Sequence, residues 1–334
     1  MLENIQVRFY LHYLALALAF LSASFVINNY LTYIFNFPGM FGLLEAFGLP
    51  IKGSNGPASG ILLFIIGTIQ TSIYIFAIWY PLKRSNFFSK FEIENDINLL
   101  NNISNKIVLA AFWSVMLIGF IDATISFLRI EGFLPNVVGD KLALELSKPS
   151  FRGIYVHLPL FIFGTIISFY RKKIDFIWLA SLIVIGELLI VISRFIFSYE
   201  QAFMGDLVRF WYGALFLFSS AYTLVNEGHV RVDVIYASFS KKQKALTNIF
   251  GSFLLGMPLC WVILTNGMWL RTSPLNMSLL NFEVTQQGFG MYVKYIMSTF
   301  LIVFAISMIF QFSSLILSEM KKFNSKNNNS LKEN

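Results

Sequence analysis

The chain predicts an all-α, polytopic integral membrane protein with about eight transmembrane helices and both termini in the cytoplasm. Composition is the first reason: 56% of the 334 residues are hydrophobic and only 13% are charged, with a mean hydropathy of +0.66. That is more apolar surface than a soluble core of this length can hide. Spacing is the second, because the apolar residues fall in runs of about 20, the length that crosses roughly 30 Å of hydrocarbon as a helix. The third is charge. Placing the N-terminus inside puts Lys and Arg on the cytoplasmic side in a ratio of about three to one, and the net charge of +7 then reads as cytoplasmic loops, with no nucleic-acid partner implied.

Taken in order, the first run is Phe9 to Phe35. It exceeds the roughly 7–15 apolar residues of a cleaved signal peptide and passes into Asn28-Asn29-Tyr30 without a small-residue cleavage pattern, so it predicts a retained helix. The second run, Ala58 to Tyr80, follows an outer loop rich in Gly and Pro from Gly48 to Pro57. An inner loop with Glu92, Glu94 and Asp96 leads to the third, Ile107 to Leu128. Asp122 in this run is either a buried proton or ion site or one end of a pairing with Ser126 and Arg129 toward the outer interface. The fourth run, Gly153 to Tyr170, is interrupted by Pro159. A full crossing preserves the charge alternation, and a buried or re-entrant helix is the alternative.

The remaining runs are Ile174 to Phe197, Leu207 to Val225, Ala245 to Leu270 and Gly290 to Leu317. Ser240-Lys-Lys-Gln243 has the pattern of a capping box opening the helix of the seventh. The lone Cys260 lies within that run and has only a packing role to play. The basic stretch Arg171-Lys172-Lys173 divides the chain into an N-terminal four-helix membrane extension (1–172) and a second four-helix membrane domain (173–320). The segment 321–334, dominated by Asn, Ser and Lys, predicts a disordered cytoplasmic tail.

Ionisable residues concentrate in the second half. Glu187 and Arg194 are seven residues apart and share a helical face. Asp206 is placed as an N-cap of the sixth span, with Arg209 one turn later. A charge deep in the bilayer costs roughly 2.5–3.5 kcal/mol unless paired or hydrated. Each therefore needs a partner, and helix-locking ion pairs, an ion or proton path and contact with another protein are the three readings. After the sixth span, His229-Val230-Arg231-Val232-Asp233 alternates polar and apolar residues. If extended, His229, Arg231 and Asp233 point to one side; if helical, His229 and Asp233 are i,i+4 neighbours. The bland reading is a cytoplasmic turn tied by a salt bridge.

Catalytic, metal and cofactor sites are not expected. His12, His157 and His229 fall on separate segments, and neither a Cys/His metal spacing, a Walker loop nor a Gly-x-Ser-x-Gly elbow is present.

From Glu187 onward the chain resembles the small, DctQ-type membrane subunit of tripartite ATP-independent periplasmic (TRAP) transporters. The residues that carry the resemblance are Arg194-Phe-Ile-Phe197, Asp206-Leu-Val-Arg-Phe-Trp-Tyr-Gly-Ala-Leu-Phe-Leu217, Ala221-Tyr-Thr-Leu224, Glu227-Gly-His-Val-Arg-Val-Asp-Val-Ile-Tyr236, Pro258, Lys294 and Gln311. Asp206 stands where the family usually has Glu, and the loop from Arg271 to Gly288 lacks an expected Trp, with Glu283, Thr285 and Gly288 keeping part of its pattern. The additional N-terminal helices resemble the longer variants of this subunit. The resemblance implies a bacterial inner-membrane scaffold that braces a large DctM-type subunit. That partner would hold the substrate and sodium sites and move by an elevator-like mechanism, fed by a periplasmic solute-binding protein that captures an organic acid or similar solute. It also implies roles for Glu187, Arg194, Asp206, Arg209, His229, Arg231, Asp233, Lys294 and Gln311 as structural or interface residues: Arg194 paired with Glu187 or a partner group, and Lys294 snorkelling outward. The competing expectation is a self-sufficient channel or carrier with a polar path near Asp122, Glu187 and Arg194.

Overall fold

A computed structural model describes residues 5–86, 90–171, 176–225, 234–285 and 290–330. Among these the regular elements are all helices. They are α1 Ile5–Tyr33, α2 Gly39–Ala46, α3 Ile61–Asn86, α4 Lys90–Ile130, α5 Leu134–Val138, α6 Asp140–Leu146, α7 Pro149–Tyr170, α8 Phe176–Phe197, α9 Ala202–Val225, α10 Val234–Ala237, α11 Lys241–Met268, α12 Pro274–Leu280 and α13 Lys294–Ser330.

Seven described helices are long and apolar enough to cross a membrane: α1, α3, α4, α7, α8, α11 and α13. The chain is a multi-pass membrane protein. The remaining expected span corresponds to α9, which has 24 residues and hence about 36 Å of length at 1.5 Å per residue. Asp206, Arg209, Trp211 and Tyr212 dilute its apolar character.

Prolines shape two of these helices in the same way. Pro159 in α7 and Pro258 in α11 each follow a single π-helical turn, Gly153–His157 and Ser252–Gly256 respectively. A proline lacks the N–H that would bond to the preceding turn and clashes with the carbonyl four residues back. A wider turn accommodates it while the helix continues. This is why the fourth predicted span, in which Pro159 falls, is a continuous 22-residue helix from Pro149 to Tyr170.

The chain forms two compact units: Met1–Ser104 with Thr223–Asn276 and Ala305–Asn334, and Asn105–Tyr222 with Met277–Phe304. In the first, α1 packs along α3, with α2 against α3 and the end of α11 against α1. The fully buried Ala15 and Ala19, one turn apart, leave room for a close helix approach, and Ser313 Oγ donates to the Ala15 carbonyl at 2.8 Å. Ser104 Oγ likewise donates to the Ser307 carbonyl at 3.0 Å. Hydroxyl-to-carbonyl bonds of this kind hold helices together where lipid supplies no hydrophobic drive between them.

In the second unit, the short helices α5 and α6 close a small core of Leu134, Ala143 and Leu146 against Ile125, Leu128, Phe151 and Val156. Gly164 of α7 faces the Ser114 backbone of α4 so closely that a Cβ there would lie 2.6 Å from Ser114 N. Lys106 Nζ donates to the Ser168, Phe169 and Arg171 carbonyls at the end of α7, the nearest at 2.6 Å. A cation in that position satisfies orphan carbonyls and complements the helix dipole.

The last helix continues to Ser330, into the polar segment expected to be disordered. Extending an existing helix fixes one residue per hydrogen bond, whereas starting one is costly, so a buried stem can carry a polar extension.

Candidate functional site

The predicted site residues do not converge on one point. His229, Arg231 and Asp233 lie outside the described residues. Glu187 and Arg194 are both exposed on α8, a helix of which only Leu179 is buried. Arg194 Nε lies 3.5 Å from Glu200 Oε2 in the following loop; it does not pair with Glu187 as expected. Seven residues are two helical turns, about 10 Å of rise, and the nearer carboxylate takes the guanidinium. Glu187, midway along α8, has no ion pair among the described residues.

Asp206 is not an N-cap. The helix begins at Ala202, one turn earlier, and the carboxylate instead reaches the chain before α13: its Oδ2 accepts from Met291 N at 3.1 Å. Arg209 remains exposed, 3.7 Å from Asp206 Oδ1. A side chain at Gly290 would overlap the Asp206 carboxylate, so the approach requires glycine. Lys294 opens α13 and donates to Glu283 Oε1 at 2.5 Å, a bond that holds the Glu283 carboxyl below its usual range. Gln311 is buried, its Nε2 without a hydrogen-bond acceptor.

The densest polar cluster in the second unit is centred on Asp122. The expectation paired Asp122 with its own helix, Ser126 and Arg129. Instead, Asp122 Oδ1 accepts from Arg152 Nη1 at 2.8 Å and approaches His157 Nε2 at 3.0 Å, both from α7. Asp122 Oδ2 accepts from Tyr292 N at 2.9 Å. Ser126 Oγ serves Arg152, at 3.0 Å, and Arg129 Nη2 donates to the Gly290 carbonyl at 3.0 Å. The guanidinium of Arg152 also lies over the Tyr292 ring, 4.1 Å from its centroid, and His157 Nδ1 meets Tyr295 Oη at 2.6 Å.

Asp122 and Arg152 are both 0% exposed. The Asp122 carboxylate takes three donors and Arg152 Nε and Nη1 are bonded, while Arg152 Nη2 is buried without an acceptor among the described residues, so the desolvated pair is held by its mutual attraction and these bonds. Two carboxylates, Asp122 and Asp206, thus fasten successive backbone amides just ahead of α13, on the positive side of its dipole.

Sequence reasoning missed Arg152, His157, Tyr292 and Tyr295. Arg152 and His157 are five residues apart, about 140° around an α-helix, so α-periodicity separates them. The π turn Gly153–His157 has an i→i+5 repeat and brings them to one side. A proline following a glycine inside an apolar run, as in Gly153 to Pro159, was the available signal.

The first unit holds a second network. His12 Nδ1 meets Ser85 Oγ at 2.8 Å, His12 Nε2 meets Asp96 Oδ2 at 3.0 Å, and Arg84 donates twice to Asp96 Oδ1, at 3.0 and 2.8 Å. The order Ser–His–Asp resembles a nucleophile relay. Ser85 is only 1% exposed, so a substrate carbonyl has no approach to its hydroxyl. The network ties α1, α3 and α4 together.

Among the described residues, no group of three or more His, Cys, Asp or Glu is placed to hold a metal ion. Asp122 is enclosed while Glu187 and Arg194 lie on an exposed face, so the three residues of the expected polar path are not brought together.

Comparison with known families matches residues 183–319 to the DctQ family, described as Tripartite ATP-independent periplasmic transporters, DctQ component. That is a family of transporter components and not of enzymes. No match was found among curated proteins or among solved structures.

Proposed function

We propose, from the premise that residues 183–319 are a DctQ segment, that this chain is the small membrane subunit of a TRAP-type secondary transporter in the bacterial inner membrane. It braces a large DctM-type subunit for sodium-driven uptake of an organic acid or similar solute delivered by a periplasmic binding protein. The single observation that carries the bracing role is the face of α8. Only Leu179 of its apolar side chains is buried and most of the rest are exposed, and Glu187 stands in the middle of them without an ion pair among the described residues. A carboxylate facing lipid at mid-span is costly. A partner helix offering a donor removes that cost and covers the apolar face at once. His229, Arg231 and Asp233 hold the inner turn in this reading, and the Asp122 and His12 networks stiffen the brace.

Co-purification tests it. Glu187→Leu makes α8 easier to insert and removes the contact, so recovery of the large subunit should fall about tenfold, the weight of one charge-assisted hydrogen bond. Undiminished recovery removes the support that Glu187 lends to the reading. Solute flux by the chain reconstituted alone refutes bracing and favours a self-sufficient carrier.

A further inference from the structure

The first compact unit contains a cavity of about 270 Å³ lined chiefly by α1. From that helix Leu21, Phe25, Asn28, Asn29, Thr32 and Tyr33 contribute to its walls, a spacing that makes one continuous stripe along an α-helix. From Leu21 to Tyr33 the helix rises about 18 Å. The cavity is therefore a slot running along the helix axis. Tyr33 ends α1, and Trp269, also in the lining, directly follows α11. Both stand at the end of an apolar span, the level at which aromatic side chains mark the boundary between hydrocarbon and headgroups. Below that boundary one leaflet is about 15 Å deep, half of a hydrocarbon layer of roughly 30 Å. The slot spans that depth.

Its lining carries no Asp, Glu, Lys, Arg or His, and the polar atoms it does carry are turned into the protein. Asn28 Nδ2 donates to the Ser24 carbonyl at 3.1 Å, Asn29 Nδ2 to the Met268 carbonyl, and Tyr33 Oη to the Trp269 carbonyl at 2.8 Å. The Oδ1 atoms of Asn28 and Asn29 are buried as well. Aliphatic and aromatic groups are left to form the surface of the slot. The Phe25 ring stacks on Trp269 with centroids 6.2 Å apart and meets Trp261 at 6.1 Å, and Leu21 lies at the deep end. Phe41 and Trp269 of the lining are 40% and 54% exposed, so the slot is reached from the molecular surface, which beside an apolar span is the bilayer.

We propose that this slot binds one phospholipid by an acyl chain drawn from the leaflet at the Tyr33 end. An uncharged slot one leaflet deep matches such a chain in length and in chemistry, whereas a polar or charged solute would enter without counter-charge or hydrogen-bond partner. Hydrocarbon is already the surrounding medium, so the gain is not transfer from water. It is the dispersion contact that side chains around a void forfeit and that a flexible methylene chain restores. The headgroup stays outside the slot, so selection is by chain length and not by headgroup. The proposal goes beyond the transport reading and does not rest on it, since it needs no partner subunit.

The test is native mass spectrometry of the full chain released from nanodiscs that hold phosphatidylcholine, phosphatidylethanolamine and phosphatidylglycerol in equal amounts with identical chains. One phospholipid per protein should stay bound after the detergent is stripped, drawn from the three headgroups alike. When dilauroyl, dipalmitoyl and diarachidoyl phosphatidylcholine compete in one nanodisc, retention should rise from the first to the second and level off at the third, because a chain longer than the slot gains no further wall. Leu21→Trp, which fills the deep end, should lose the retained lipid, while Phe163→Trp, exposed on α7 in the other unit, should keep it. No retained lipid, retention that follows the headgroup, a steady rise through the longest chain as for lipid adsorbed outside, or a folded Leu21→Trp variant that still holds one lipid overturns the proposal. If Leu21→Trp does not fold, the chain-length series on the unmodified protein decides.

Discussion

Replacing Asp122 by Asn should destabilise the protein by about 3–5 kcal/mol, because it leaves the Arg152 guanidinium charged and fully buried with no counter-ion. Coulomb's law gives a similar figure, about 4 kcal/mol for unit charges roughly 4 Å apart at an effective dielectric constant near 20. The loss of acceptors points the same way. Asp122 takes Arg152 Nη1, His157 Nε2 and Tyr292 N, and a carboxamide can replace only one of its two oxygens, so at least one donor loses its partner. Equilibrium unfolding in mixed micelles across a double-mutant cycle is the assay. Arg152→Met alone should also be costly, since it strands Asp122, while the double variant carries no buried charge. Its cost should fall below the sum of the singles by about 3 kcal/mol. A cost below about 1 kcal/mol for Asp122→Asn, or additivity within about 0.5 kcal/mol, refutes the reasoning, because the pair would then not be the desolvated lock described.

Close packing of α7 on α4 makes Gly164→Ala destabilising by about 1–3 kcal/mol, since the new methyl meets Ser114 backbone; Gly205→Ala, inside α9 with open space around it, should leave the unfolding midpoint unlowered or raise it slightly. Ser240 caps α11 with a reciprocal capping box to Gln243, so Ser240→Ala should cost about 1 kcal/mol, read as faster amide exchange in the first turn of α11. The Glu283–Lys294 pair sets a pH dependence. Because the folded carboxyl is held low by Lys294, its contribution is present above the unfolded Glu value near 4.3 and disappears as pH falls through the lower folded value. Both side chains are more than a third exposed, so the loss should stay under about 1 kcal/mol, and Glu283→Gln should flatten that part of the stability–pH curve.

Local features were legible where a single segment decides them. Ser240 and Gln243 cap a helix through neighbouring backbone, and apolar runs become helices because unpaired amides are intolerable in lipid. Of the two partners expected for Arg194, Glu187 or a group on a partner, Glu187 is not the one met within the chain, because α-helical periodicity reports a shared face without regard to axial distance. Asp206 is not the cap because the helix starts one turn earlier. Ala202 to Gly205 offer no side-chain oxygen to mark the start, and Asp206 is the first that does.

What the sequence determined by itself was the solvent: enough apolar length in about eight pieces, with basic loops between them, dictates a helical membrane protein whatever the helices touch. The motifs from Glu187 to Gln311 likewise identified the segment that matches the DctQ family. Only the tertiary structure decided which charges meet. Asp122 finds Arg152 and His157 through a π turn that the α-helical repeat does not predict, and the Asn28 and Asn29 nitrogens are taken by the Ser24 and Met268 carbonyls. Burial in hydrocarbon is a property of composition, summed along the chain. The pairing of buried polar groups depends on distances of a few ångströms between segments far apart in sequence, and only the packed helices set those distances.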